Sequence, residues 1–224
     1  MKPRLALPLK RRALFAIMLP LLFWSVPAQA VDEDTQVWFF FNTIVPLAGD
    51  AMGTFEVSPR AREVEGDFLL TRFTVEVPLS DWAVPGAGAA YIAADAGWEW
   101  RGHQQITFIS GPLSFRTRVE QRIFEGAPRA QLRLRQRVGA NVPLTRSTTL
   151  TGAAELLYIA RTEDPQEEAR VETWRGSLGV QQQLDANLTI GATYLLMLAP
   201  RPGAPDRLSH IPQVTLVFRP GSTG

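Results

Sequence analysis

The sequence predicts an all-β fold: a closed antiparallel up-and-down transmembrane β-barrel of about 10 to 12 strands, preceded by a cleavable signal peptide. Three observations predict it. Polar and apolar side chains alternate over many short segments, with the period of two that is typical of strands. Residues that favour turns separate these segments. After Ala30, no run reaches the roughly 18 uninterrupted apolar residues that indicate a membrane helix.

Residues 1–30 have the organisation of a secretory signal peptide. Basic residues open the segment, an apolar stretch follows from Ala13 to Val26, and Ala28-Gln29-Ala30 provides a cleavage site. The apolar stretch is shorter than the roughly 20 residues of a membrane anchor. We therefore expect cleavage after Ala30 and one barrel domain over residues 31–224.

Composition of the mature chain excludes some classes of function. Beyond residue 30 there are 18 arginines, no lysine and 22 acidic residues, so the mature chain is acidic overall. No basic tail or patch typical of a nucleic-acid-binding protein remains, and we expect no nucleic-acid partner. The chain has no cysteine, so no disulfide framework can hold it together.

Five alternating segments precede residue 110. In the last of them, Glu99, Arg101 and His103 share one face and Trp98 and Trp100 share the other. Tryptophans of this kind are expected either in aromatic girdles at a membrane interface or in core packing. The five predicted strands are Gln36–Val45, Met52–Arg60, Phe68–Val77, Ala87–Ala94 and Trp98–Ile109.

An arginine-rich hairpin, Leu113–Ala140, follows. In its first strand, charged residues occupy every second position from Arg116 to Arg122, interleaved with Phe115, Val119 and Ile123. After a turn at residues 125–128, Arg133, Arg135 and Arg137 alternate with leucines and Val138. Both strands thus present one arginine-rich face and one largely apolar face.

Four more segments complete the pattern. Glu155 lies on the face opposite Leu150, Leu156 and Tyr158, and the acidic stretch 162–170 is expected to be a surface loop. The segments are Thr148–Ala160, Val171–Leu184, Leu188–Leu198 and Ile211–Phe218. The total is eleven, and because bacterial barrels have even numbers of strands we expect one assignment to be wrong, near Pro78–Gly97 or at the first segment.

The charged faces decide the orientation that a membrane barrel would need. Each arginine facing lipid costs about 2–4 kcal/mol near the bilayer centre, so the charges must face the interior. A water-soluble barrel would place the same arginines outside, and alternation alone does not choose between the two. The predicted luminal ladder consists of Glu99, Arg101, His103, Arg116, Arg118, Glu120, Arg122, Arg133, Arg135, Arg137, Glu155 and Arg175.

The same residues carry a resemblance to a known family. The ordered set Trp98-Glu99-Trp100-Arg101, Gln104-Gln105, Arg116-x-Arg118-x-Glu120-x-Arg122, Arg133-x-Arg135-x-Arg137, Pro143-Leu144 and Glu155 resembles the domain of unknown function 2490. The resemblance implies an exported outer-membrane β-barrel and supplies no activity. It therefore also implies outer-membrane lipid and the barrel assembly machinery as partners. Such machinery reads a terminal aromatic residue, for which Phe218 is the candidate, although six residues follow it.

Three functions remain open from the sequence. The favoured one is a structural barrel or a narrow conduit, in which a surplus of luminal arginine would select a small anionic solute. A second is an enzyme that modifies envelope lipids with His103 and a nearby hydroxyl from Ser110 or Ser114. A third is a soluble periplasmic barrel that binds an apolar ligand. Catalysis is not the expected function, and with only His103 and His210 among scattered acids we expect neither a metal nor a cofactor.

Overall fold

Alternation of polar and apolar residues produces eleven strands in the computed structural model, which describes residues 31–221. The predicted signal peptide lies outside the described residues. The strands are β1 (Asp32–Pro46), β2 (Met52–Arg62), β3 (Phe68–Glu76), β4 (Ala83–Ala94), β5 (Gly97–Ser110), β6 (Leu113–Phe124), β7 (Gln131–Pro143), β8 (Thr148–Arg161), β9 (Arg170–Gln183), β10 (Leu188–Ala199) and β11 (Arg207–Phe218).

The eleven strands close into a single barrel, in which each strand pairs with its neighbours in sequence. All eleven predicted segments are strands. The prediction that one of the eleven assignments would fail was therefore wrong. Ten of the pairings are antiparallel, and β1 pairs with β11 in parallel, from Asp32↔Arg207 to Thr43↔Phe218. The prediction of an antiparallel barrel therefore fails at this seam, because in a closed up-and-down barrel with an odd strand number the first and last strands run in the same direction.

Three strands, β1, β4 and β11, begin four residues earlier than predicted, and β1 starts at Asp32 instead of Gln36 because Asp32 to Thr35 pair with β11. β4 starts at Ala83 instead of Ala87. Ala83, Val84 and Pro85 show no alternation of their own, but they pair with the C-terminal part of β5. β11 starts at Arg207 instead of Ile211, because its first residues pair with both β1 and β10. Pairing with neighbours supplied strand structure where local sequence gave no signal.

The barrel has two distinct ends. We call the end where β1 begins the N-terminal end, and it carries the connections at residues 63–67, 95–96, 125–130, 162–169 and 200–206. The opposite, C-terminal end carries the connections at residues 47–51, 77–82, 111–112, 144–147 and 184–187. No helix within residues 31–221 is long and apolar enough to cross a membrane.

Large apolar side chains cover the outside of the barrel. Trp82 is 61% exposed, Leu178 63% and Trp100 51%, and exposed aromatic or aliphatic residues occur on every strand except β4. Trp174 and Tyr194 also lie on this outer face. Trp38 does not, since it is buried inside the barrel with Leu195 and Ile211.

The interior is only partly apolar. One small cluster contains Trp38, Leu195 and Ile211, with Phe40 and Met197 packed against it. A second cluster contains Leu70, Ala90 and Ile92, with Phe68 packed against it. Both clusters lie on the side of the barrel formed by β1, β3, β4, β10 and β11, and most of the inward charges lie on β5 to β9.

Candidate functional site

Glu120 is the centre of the charged interior. It lies on β6, its side chain has no solvent exposure, and it faces three arginines. Arg133 and Arg135 on β7 both donate to it, Arg135 at 3.0 Å, and Arg118 lies 3.5 Å away on β6. Strand alternation brings these groups together, because all four side chains point to the inner face of two neighbouring strands.

Ion pairs extend from this centre through five strands. Beyond Arg135 the next carboxylate is Glu155 on β8 (2.8 Å), which also binds Arg116 at 3.0 Å. Beyond Arg133 it is Glu172 on β9 (2.7 Å), which also binds Arg122 at 3.0 Å. The sequence of partners, which we call the ion-pair chain, is Arg101–Glu99–Arg122–Glu172–Arg133–Glu120–Arg135–Glu155–Arg116, with Arg118 attached to Glu120.

Several of these contacts join strands that are not neighbours. Arg122 on β6 reaches Glu172 on β9, and Arg116 on β6 reaches Glu155 on β8. Such contacts require the side chains to meet inside the closed barrel. The ion-pair chain therefore braces strands that backbone hydrogen bonds do not connect.

Glu172 was absent from the predicted ladder because a β-bulge interrupts the alternation of β9. Leu157 pairs with Thr173 and Tyr158 pairs with Val171, so Glu172 is an extra residue without a partner on β8. A bulge of this kind re-aims a side chain. Strict alternation would place Glu172 outside beside Trp174, whereas the bulge turns it toward Arg122 and Arg133.

Other inward charges were visible in the sequence but were not assigned to the site. Arg72 on β3 binds Glu56 on β2 at 3.0 Å, and both follow the alternation of their strands. Gln105 on β5 links Glu76 (2.7 Å) to Arg118 (2.8 Å). Including every inward-facing polar residue of β2 and β3 would have found these contacts.

His103 has a packing role in this structure. It is 1% exposed, and its Nε2 lies 3.3 Å from Thr74 Oγ1. A Cβ atom at Gly88, its cross-strand neighbour, would lie 2.6 Å from the His103 ring. His103 thus fills the space that Gly88 leaves, and the Thr74 hydroxyl is its hydrogen-bond partner rather than Ser110 or Ser114.

His210 lies on the outer face of β11. Its Nδ1 is 2.6 Å from the hydroxyl of Tyr194. The two histidines therefore belong to different surfaces of the barrel. Within residues 31–221, no group of three or more His, Cys, Asp or Glu residues is arranged to hold a metal ion.

A cavity of about 680 Å³ lies between the charged and apolar sides of the interior. It reaches the N-terminal end, where Glu65, Ala96 and Glu125 line it. In all, eleven arginines and six glutamates line the cavity. Its apolar wall is formed by Phe40, Phe68, Leu70, Ile92, Leu195 and Met197. The cavity thus joins a cationic surface to an apolar one.

Three of the eleven cavity arginines form no ion pair among the described residues: Arg60, Arg137 and Arg175. Arg60 packs on the ring of Trp38, with its guanidinium carbon 3.9 Å from the ring centroid. Arg175 lies 5.7 Å from the same centroid, and its buried Nε has no hydrogen-bond partner among the described residues. All three guanidinium groups are therefore partly buried with no carboxylate within ion-pair distance, which is an unusual arrangement.

Comparison with known proteins identifies a family whose model matches most of the chain. The family model described as "Protein of unknown function (DUF2490)" matches residues 35–207. The chain belongs to this family. The DUF2490 match spans every residue of the ion-pair chain and ends where β11 begins. No curated protein matches the chain.

Proposed function

We propose that this DUF2490 protein is an outer-membrane β-barrel, exported through a signal peptide cleaved after Ala30. In this proposal the barrel is closed toward its C-terminal end, and its interior forms a pocket that takes a small anionic solute from the N-terminal end. The protein acts as a structural barrel that binds a solute, and no catalytic step is assigned to it.

The distribution of charge over the two faces of the wall carries this proposal. Among the described strand residues, charges on the outer face occur only at strand ends, at Glu33 and Arg161. A soluble barrel has no reason to exclude charge from its outer face. A lipid-facing surface does, because an outward arginine costs about 2–4 kcal/mol at the bilayer midplane.

Hydrogen bonds among polar groups on the outer face also support a lipid-facing surface. Gln121 Nε2 donates to Gln104 Oε1 at 3.1 Å, and Thr117 Oγ1 donates to Gln136 Oε1 at 2.9 Å. These four residues lie on the outer face of β5, β6 and β7, where water would satisfy them without help. Pairing with one another is what polar groups in contact with hydrocarbon require.

Closure of the interior is supported by a buried polar layer formed by β3, β5 and β6. Thr74, His103, Gln105, Arg118 and Glu120 are all buried, and none of these five lines the cavity. Hydrogen bonds join His103 to Thr74 and Gln105 to Arg118. The cavity reaches the N-terminal end, and we propose this end as the route into it.

Fractionation tests the location. Cells that express the full chain should release the protein with detergent and not by osmotic shock, and the folded protein should migrate faster on a gel before boiling than after it. Release by osmotic shock without detergent would overturn the membrane proposal. It would favour the alternative of a soluble periplasmic barrel.

Planar-bilayer recordings test the closure. The purified protein should show no steady conductance, because the buried layer blocks the barrel. A steady ion current through the unmodified protein would instead establish a conduit. Ion substitution would then show whether the surplus of cavity arginines selects anions.

A further inference from the structure

The two unpaired arginines around Trp38 define a more specific site within the cavity. We propose that Arg60, Arg175 and Trp38 bind an amphipathic anion, a carboxylate or phosphate group attached to a short apolar body. This inference rests on the proposed function, because it names the class of solute that the anion pocket takes.

The cationic half of the site is open to an additional ligand. Stacking on an aromatic ring satisfies part of the charge of a guanidinium but leaves its N–H donors without acceptors. Arg60 uses one donor, with Nε bonded to Ser58 Oγ at 3.3 Å, and forms no ion pair among the described residues. Arg175 has a buried Nε with no partner there. An anion between them would supply the missing acceptors.

Trp38 is held in a fixed orientation for this purpose. Its Nε1 donates to Gln36 Oε1 at 2.9 Å, and Gln36 in turn donates to Asp34 at 2.6 Å. The indole ring is buried, with 4% exposure, and both guanidinium groups lie within cation–π range of it. The distance between the two cationic groups is therefore set by a rigid aromatic platform.

The apolar half of the site selects the body of the ligand. Phe40 and Phe68 lie under Arg60, with ring centroids 5.5 Å and 5.1 Å from its guanidinium carbon. Leu70 and Ile92 continue this wall from β3 and β4, and Leu195 and Met197 continue it from β10. An inorganic anion would leave this wall unused, whereas an anion with an acyl or aryl body would cover it.

A set of four water-soluble probes tests the inference. Hexanoate carries both features of the proposed ligand, acetate lacks the apolar body, hexanol lacks the charge, and hexylammonium has the opposite charge. Each probe is titrated into the folded full-length barrel in a nonionic detergent. Binding is read by calorimetry and by the indole N–H resonance of Trp38, which a Trp38→Phe variant identifies.

The inference expects hexanoate to bind most tightly and to shift the Trp38 resonance. Arg60→Gln and Arg175→Gln should each weaken hexanoate binding by about tenfold or more, because each removes a charged hydrogen-bond donor. Arg161→Gln is the control, because Arg161 is the last residue of β8 and lies on the outer face. This variant should leave hexanoate binding unchanged. Gel migration before and after boiling confirms that each variant is folded.

Other outcomes would overturn the inference in distinguishable ways. Equal binding of acetate and hexanoate would show that the apolar wall does not contribute to binding, and it would leave an anion pocket in place. Equal binding of hexanol and hexanoate would remove the role of the arginines. Absence of binding by every probe would remove the anion pocket as well, and the fractionation result would still decide the location independently.

Discussion

At the scale of single residues, Glu120 has more arginine partners than any other carboxylate among the described residues. One carboxylate neutralises part of the charge of Arg118, Arg133 and Arg135, and water cannot reach it. Removing one member of a buried ion pair leaves its partner charged and unpaired in a medium of low dielectric constant. Among the described residues Arg118 has no other carboxylate partner, whereas Arg133 and Arg135 also pair with Glu172 and Glu155.

Glu120→Gln should lower the free energy of unfolding by about 3–5 kcal/mol, since it leaves Arg118 without a carboxylate and removes one of the two carboxylate partners of Arg133 and of Arg135. The measurement is denaturant unfolding in detergent, followed by the gel shift between the folded and boiled forms. Glu65→Gln is the matched control, because Glu65 pairs with Arg62 and Arg207 at the rim and its side chain is 49% exposed. The control should change the free energy by about 1 kcal/mol or less, and an equal loss in both variants would contradict the prediction.

Gly88 offers a second residue-scale test. A Cβ atom there would lie 2.6 Å from His103 Cε1 and 2.9 Å from Thr74 Cα, and the backbone of Thr74 cannot move aside. Gly88→Ala should therefore destabilise the barrel by about 1–3 kcal/mol. Gly176→Ala in β9 should be nearly neutral in the same unfolding experiment, because no atom lies within 4 Å of the position that its Cβ would occupy.

At the scale of strands, alternation explains which side chains reach the interior and also where prediction fails. The period of two placed Glu155 on the face opposite Leu156 and Tyr158, and the structure has it inside with Arg116 and Arg135. The same rule misplaces Glu172, because a bulge depends on how β9 pairs with β8 and not on its own sequence. Local patterns therefore predict the strands well and the bulges poorly.

The parallel seam had no local signal either. Nothing in the sequences of β1 and β11 distinguishes a parallel partner from an antiparallel one, and the two strands are separated by nearly the whole chain. The rule that bacterial barrels have even strand numbers argued against eleven strands, although the alternation itself indicated eleven. Alternation along β1 does not show that Trp38 faces inward, because this strand is aromatic on both faces.

Cysteine cross-linking tests the register of this seam. Phe39 and Val214 are Cα partners on β1 and β11, both face outward, and the chain has no cysteine of its own. Phe39→Cys with Val214→Cys should form a disulfide on oxidation, seen as faster migration of the denatured protein without reductant. Phe39→Cys with Phe218→Cys is the control. It should not cross-link, because Phe218 pairs with Thr43, four residues or about 13 Å further along the strand.

At the scale of the whole molecule, the barrel keeps nearly all of its strand charges on the inner face of the wall and its exposed large apolar side chains on the outer face. Arginine and glutamate share the inside, and aromatic and aliphatic residues cover the outside. This arrangement makes the cost of an outward charge depend on its position along the strand. In lipid the middle of a strand should be the most sensitive position, whereas in water every outward position should tolerate a charge.

Val138→Arg and Val142→Arg compare two outward positions on β7, the first within the strand and the second next to its last residue, Pro143. In lipid bilayers Val138→Arg should cost about 2–4 kcal/mol and Val142→Arg about 1 kcal/mol or less, because water and headgroups reach the strand end. The measurement is reversible folding into vesicles. Equal and small effects at both positions would contradict a lipid-facing wall.

The odd number of strands also places the first and last described residues at opposite ends of the barrel. Val31 precedes β1 at the N-terminal end of the barrel, and Gly221 follows β11 at the C-terminal end. In a barrel that spans a membrane, epitopes fused beside these two residues would therefore emerge on opposite sides of the bilayer. An antibody added to intact cells should label one epitope, and the other should become accessible only after permeabilisation.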